Sequence, residues 1–264
     1  MSDLIVCTPK RLPQELRVAA AQRSLAINPA NQPLPAIAAR ALGSGDERGR
    51  ERLSLLVGAR WPSSGVKLTV GFVDAPPADL RTRIILHMNA WGKSANVAFV
   101  ASASDPKIRI ARHDHPAEMS GYWSYVGTQI LSIPDDQPTM NLQAFTMDTP
   151  ESEFRRVVRH ETGHTLGFPH EHMRRQLVAK IDPDKAIAYF GLTQGWTPDE
   201  VREQVLTALE DSSLLATAHA DTHSIMCYQI PGSLTRNGKP IIGGKDIDKR
   251  DYAFAASCYP KPSH

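Results

Sequence analysis

His160, Glu161, His164, Gly167 and His170 lie in the run HETGHTLGFPH, which reads HExxHxxGxxH. On a helix, residues four apart share a face, so His160 and His164 aim two imidazoles at one point. Glu161 is placed to reach a water at the same metal without ligating it. Gly167 tolerates the left-handed backbone that ends a helix, and Pro169 discourages a restart. His170 can then return from another direction as a third ligand. Three neutral histidines with a fourth position left open make a catalytic zinc site rather than a closed structural one, and the ligand types favour zinc over harder divalent ions. One catalytic Zn2+ is expected. It would bring the pKa of water down to roughly 7 and polarise a carbonyl. Glu161 would act as general base, then return the proton to the leaving amine as general acid. The bland alternative is a helix with ordinary histidines and no metal.

Other groups carry less. His113 and His115, in RHDHP, are spaced two apart beside a proline and read as a solvated loop, not a second metal site. The cysteines, 3 in number, are Cys7, Cys227 and Cys258. A Cys227–Cys258 disulfide is one reading, and two reduced buried thiols the favoured one. The 264 residues are 41% hydrophobic and 22% charged, which suits one globular domain, or one domain plus an extension. A net charge of +2 gives no reason to expect nucleic acid or an anionic membrane as partner. No apolar run is long enough to span a bilayer. The start, MSDLIVCTPKRLPQ, lacks the basic region and apolar core of a Sec-type signal peptide. The expectation is therefore a cytoplasmic protein or one exported by a signal-independent route.

The elements that must position the motif follow from period and punctuation. Glu15 to Leu25 reads as a helix ended by Asn28-Pro29, and Gly43 to Asp46 as a joint. Val66 to Phe72 alternates as a half-buried strand. Ala78 to Trp91 has helical spacing at Leu80, Ile84, Met88 and Trp91. Val97 to Val100, Lys107 to Arg112 and Met140 to Gln143 are further strands, as is the aromatic stretch Gly121 to Thr128. The metal-site helix is expected to be capped by Asp148 or Thr149, with Pro150 in its first turn. Thr197 to Glu200 is a capping box, opening a helix whose stripe is Val201, Val205, Leu206 and Leu209. Asp248 to Cys258 is a last helix. Strands broken by helices point to an α+β fold, a twisted mixed sheet with helices packed on it.

The longer run HETGHTLGFPHEHMR resembles the astacin family of metzincin metallopeptidases, whose pattern continues G-F-x-H-E-H-x-R. Ser224 to Tyr228, SIMCY, is similar to that family's Met-turn, and Tyr122 to Gly127 contains its W-S-Y-V-G. The resemblance begins near Trp61. It implies a zincin-like fold with an active-site helix and a mostly irregular, helical C-terminal subdomain. It divides the chain into an N-terminal extension at 1–58 and a catalytic domain at 59–264, with subdomains 59–170 and 171–264. Met226 would floor the three histidines. Tyr228 would be a weak extra ligand that can swing to stabilise an oxyanion. An edge strand, from Tyr122 to Val126 or Asn141 to Gln143, would pair with an extended peptide. Residues 1–58 would be a pro-segment with Asp46, or alternatively the Cys7 thiolate, plugging the zinc, or else a structural extension. Glu171, next to the third histidine, is expected to form a surface or interdomain ion pair, and His172 is not expected to ligate. Arg175-Gln176-Leu177 departs from the family's D-R-D-x-Y stretch. The implied activity is that of a monomeric zinc endopeptidase acting on protein or peptide substrates. Two alternatives stand beside it: an effector peptidase with one dedicated target, and a catalytically idle zinc protein that binds peptides.

Overall fold

The computed structural model describes residues 7, 10–33, 38, 57–116, 119–208 and 220–262. Asp46 and Leu209 fall outside them.

Helix α1 (Gln14–Ile27) stops at Asn28, whose side-chain oxygen accepts from the Ala30 N–H and opens a 3-10 turn at Pro29–Asn31. Five strands then build one sheet in the order β2-β1-β3-β5-β4. They are β1 (Val66–Phe72), β2 (Val97–Ala101), β3 (Ile108–Ala111), β4 (Tyr122–Ser124) and β5 (Met140–Leu142). The pairs β1/β2, β1/β3 and β3/β5 are parallel, and β4 runs antiparallel to β5 with Trp123 opposite Asn141. Strand β4 is therefore the edge, and β5, the other candidate for that role, is internal.

The sheet's position overrides local pattern at β3. The alternation of Lys107 to Arg112 suggests one wet face, yet all four residues of β3 are buried. Arg109 is accommodated because its guanidinium donates to the carbonyls of Gln137, Ile133 and Pro134 at 2.7, 3.0 and 3.1 Å. Helix α2 (Ala78–Met88) ends three residues before Trp91. Asn89 is the cause: its amide donates to Ile85 and Phe99 carbonyls and its oxygen accepts from the Phe99 N–H, docking the helix end on β2.

The metal-site helix begins at Pro150, which offers no side-chain cap. Thr149 spends its hydroxyl on the Thr146 N–H instead. The helix runs as an α-turn at Glu151–Glu153, a π-turn at Phe154–Val158 and α3 (Arg159–Thr165). Its buried face, Phe154, Val157 and Val158, packs in a core shared with α2 and the sheet. Leu12 and Ala20, flanking and within α1, belong to that same core.

Beyond the motif lie α4 (Pro183–Gln194) and a short helix at Pro198–Val201 with the expected Thr197/Glu200 capping box. Last comes α5 (Lys249–Cys258), whose capping box is Asp248/Asp251. Leu177, Ile181, Phe190, Val201, Val205 and Ile230 form a second core. Cys7, Cys227 and Cys258 are all buried and free, so the reading of reduced thiols holds and the disulfide does not form.

Two glycines bring backbones together behind the site. A Cβ on Gly127 (φ +49°) would sit 1.7 Å from the Ala59 carbonyl oxygen, and one on Gly167 (φ +92°) about 3.0 Å from the Arg60 Cα. Tyr259 closes the same region: its hydroxyl donates to the Leu166 carbonyl and accepts from the Trp61 N–H.

Candidate metal centre

Helix α3 ends as its sequence requires. Gly167 takes positive φ, the Phe168 N–H returns to the Gly163 carbonyl at 3.0 Å, and the chain reverses towards His170. The reversal brings three imidazoles together. Nε2 of His170 lies 3.1 Å from Nε2 of His160 and 3.0 Å from Nε2 of His164. The other ring nitrogens fix two tautomers: His160 Nδ1 donates to the Ile225 carbonyl at 2.6 Å and His164 Nδ1 to the Phe168 carbonyl at 2.8 Å. Those Nε2 atoms therefore present lone pairs to one point. Burial depresses the His160 and His170 pKa values well below the usual range and brings His164 down to about 4. Three buried, neutral, mutually facing acceptors suit a cation, and the donor set is that of zinc.

Glu161 points into the same space. It is fully buried, and neither carboxylate oxygen has a hydrogen-bond partner. Burial raises its carboxyl to about 8, with the neighbouring Cys7 thiol and then Arg156 pulling the other way. On the opposite side the missing Cβ of Gly163 makes room for Met226: a methyl there would lie 2.4 Å from the Met226 Sδ. The Met-turn thus packs against the helix between the two helical histidines.

Tyr228 is buried, its hydroxyl has no partner, and its ring centroid is 4.2 Å from that of His170. His172 stacks on Tyr228 at 4.0 Å and 16°, with its own ring centroid 5.1 Å from that of His170. Its Nε2 donates to the Gln204 carbonyl, so His172 supports the tyrosine and stands apart from the metal-facing group, as expected. Glu171 accepts from the Asp221 N–H at 2.9 Å, pairs with Arg174 at 3.1 Å, and its own N–H donates to the Met226 carbonyl. The ion pair is thus local and mostly buried rather than at the surface or between subdomains, and the two backbone contacts tie the motifs together. His115 is exposed beside Asp114, and neither it nor His113 joins a metal-competent group among the described residues.

One contributor escapes sequence inspection. Asp251, in the first turn of α5, accepts from Ser224 Oγ at 2.6 Å, the Ile225 N–H at 2.9 Å and the Asp248 N–H at 3.0 Å. Burial nonetheless raises its carboxyl to about 6. Since Ile225 holds His160, a carboxylate in the last helix orients a metal-facing ring through the Met-turn. The capping-box spacing finds Asp251 but assigns it only a helix-end role. Cys7, one of the two alternatives for a plug, has its buried sulfur with the nitrogens of His160, His164 and His170 in a set lying within 4.8 Å of one another.

A mixed sheet with antiparallel edge strand, a helix carrying HExxH, a third histidine from the following turn and a methionine beneath them define a metzincin-type metallopeptidase scaffold. The sequence profile of the Astacin peptidase family matches residues 57–242. The chain belongs to the astacin family. It is 26% identical over 170 residues to the zinc metalloproteinase nas-27 of Caenorhabditis elegans, covering 64% of this chain and 35% of that one. A solved structure of myroilysin superposes with a TM-score of 0.71 at 32% identity, over 78% of this chain and 97% of the other. High choriolytic enzyme 1, a hatching enzyme zinc-protease from Oryzias latipes (medaka fish), shares the fold at a TM-score of 0.51 and 16% identity, over 79% and 96%.

Proposed function

We propose that the chain is a zinc endopeptidase, with residues 59–264 as its catalytic domain and His160, His164 and His170 as the ligands of one zinc ion. The observation that carries this reading is the convergence of three neutral imidazoles beside a buried, unpartnered carboxylate. Bound there, zinc would supply Lewis acidity, making water a nucleophile near neutral pH and polarising a peptide carbonyl. The chain's own residues do the rest. Glu161, whose charged form a bound cation would favour against the cost of burial, takes the proton of the attacking water and passes it to the leaving nitrogen. The outer edge of β4, with which Cys7 and Lys10 pair in this structure, carries the main-chain donors and acceptors that an extended peptide would use, which suits protein substrates. Tyr228, stacked on His172 and packed beside His170 with its phenol hydroxyl unpartnered, donates to the oxygen that becomes negative at the tetrahedral stage. Every group in this scheme comes from one chain, so a monomer suffices. An intact Glu161 favours the enzyme over an idle binding protein.

The experiment is steady-state cleavage of a quenched fluorogenic peptide library by the zinc-loaded chain and by Tyr228→Phe. The phenylalanine keeps the stack and removes only the hydroxyl. It is expected to lower kcat by on the order of 10²-fold with little change in KM. A rise in KM at unchanged kcat would assign Tyr228 to substrate binding and not to the reacting oxygen.

A further inference from the structure

His172 stands outside the group that faces the metal, yet it is buried, and its ring lies against both Tyr228 and His170. Backbone sets the register between the two stacked rings. The Glu171 N–H donates to the Met226 carbonyl at 2.8 Å. His172 follows that contact by one residue on its own segment, and Tyr228 by two on the other. The two side chains then meet with centroids 4.0 Å apart and planes 16° from parallel. The His170 ring stands 4.2 Å from Tyr228 at 56°, so two rings of different tilt together fix the plane of the phenol.

The stack has an anchor of its own. The short helix at Pro198–Val201 continues as a π-turn at Arg202–Leu206, and the chain leaves it at Thr207, which is extended. Carbonyls in the last turn of a helix have no partner within it. One of them, that of Gln204, accepts from His172 Nε2 at 3.1 Å. Rotation of the imidazole would break this bond. The arm that supplies the carbonyl is fixed in turn by its Thr197/Glu200 capping box, and Val201 and Val205 share a core with Tyr228. Single π-turns occur often where a group must be placed for function. What the arrangement restrains is a buried hydroxyl without a hydrogen-bond partner. A buried donor left unpaired is costly, and an unrestrained ring would turn to pair it. Held in place, it is a donor set before the negative charge forms, which is where such a donor is most effective.

We propose that His172 is a positioning residue for the reaction. Stacked on Tyr228 and tethered to the Gln204 carbonyl, it keeps the phenol hydroxyl unpaired and directed at the oxygen that becomes negative. The proposal rests on the zinc-peptidase reading for the reaction and on the ring geometry for the restraint.

The test is a double-substitution cycle between His172 and Tyr228. The parent is the full chain with Cys7→Ala, which takes the thiol away from the histidines, loaded with zinc. One readout is steady-state cleavage of a fluorogenic peptide. The other is calorimetric affinity for a phosphinic peptide, whose anionic tetrahedral centre imitates the tetrahedral stage, and for the cleaved product. His172→Phe keeps a ring and loses the tether, whereas His172→Gln keeps a donor for the Gln204 carbonyl and loses the ring. Each is expected to lower kcat and phosphinic-peptide affinity on the order of 10-fold, with KM and product affinity nearly unchanged. In a Tyr228→Phe background the same substitutions should change either quantity by less than about twofold, since no hydroxyl is left to aim. Should His172→Gln melt early or lose zinc, His172→Phe alone completes the cycle. Equal losses with and without the Tyr228 hydroxyl make His172 a packing residue and overturn the proposal, as do parallel losses in product affinity. His172→Phe indistinguishable from the parent overturns the tether, and His172→Gln indistinguishable from it overturns the stack. A Tyr228→Phe chain as active as the parent overturns the proposal and leaves the zinc site standing. Phosphinic-peptide binding that follows the expected pattern, with no cleavage by the parent, keeps the positioning and sinks the peptidase reading.

Discussion

Glu161→Gln in a Cys7→Ala background is expected to lower kcat by on the order of 10³-fold, with KM nearly unchanged and zinc content undiminished. The side chain keeps its shape and loses only the ability to take a proton. Zinc stays because the carboxylate is outside the group of side chains that face the ion. The same change should leave thermal stability equal or higher. A carboxylate buried without hydrogen-bond partners is a cost to the fold, and a neutral amide carries less of it. Activity lost while stability holds marks a group kept for chemistry. Loss of zinc together with activity would instead make Glu161 a ligand or a scaffold for one.

Asp251→Ala is expected to do the reverse. It leaves the Ser224 hydroxyl and the N–H groups of Ile225 and Asp248 without an acceptor in a buried place. Unsatisfied donors of this kind cost about 1–3 kcal/mol each when water cannot reach them, and relaxation recovers part of that. A net loss of about 2–4 kcal/mol would lower Tm by roughly 5–15 °C in a chain of this size. The effect should reach the metal, because the same turn positions the Ile225 carbonyl that orients His160. A fall of about 10–100-fold in zinc affinity is expected, as for other residues that orient a ligand. Competition titration against a chromophoric chelator, alongside thermal melts, measures both. A melt shifted as expected with zinc affinity intact would confine Asp251 to capping α5.

The metal centre was readable from sequence because its logic is local. Helical spacing places His160 and His164, one glycine turns the chain, and His170 follows within three residues. Helix α2 and strands β1 and β2 were readable for the same reason, since a period of 3.6 or 2 is visible in a short window. Failures came where distant contacts decide. Alternation in Lys107 to Arg112 suggested one wet face, but a central position in the sheet buries both, with carbonyls from 133–137 receiving the guanidinium. Trp91 fits the helical period of α2, yet Asn89 ends the helix by binding β2. Asp251 is visible as a capping residue and invisible as a Met-turn anchor, because nothing local relates 251 to 224. Cys7 shows the same limit. As a plug it was one of two alternatives, and only the bridge to Tyr122 brings it to the histidines, while Asp46 lies outside the described residues.

The central claim is tested most directly by stripping the Cys7→Ala chain of metal and titrating zinc back while following cleavage of a fluorogenic peptide. The expected result is a silent apo-protein whose activity rises linearly and saturates at about one equivalent of zinc, as three histidine ligands from a single motif require. Cleavage that survives complete metal removal, or a folded chain holding one zinc that cleaves no peptide or protein offered, would contradict it.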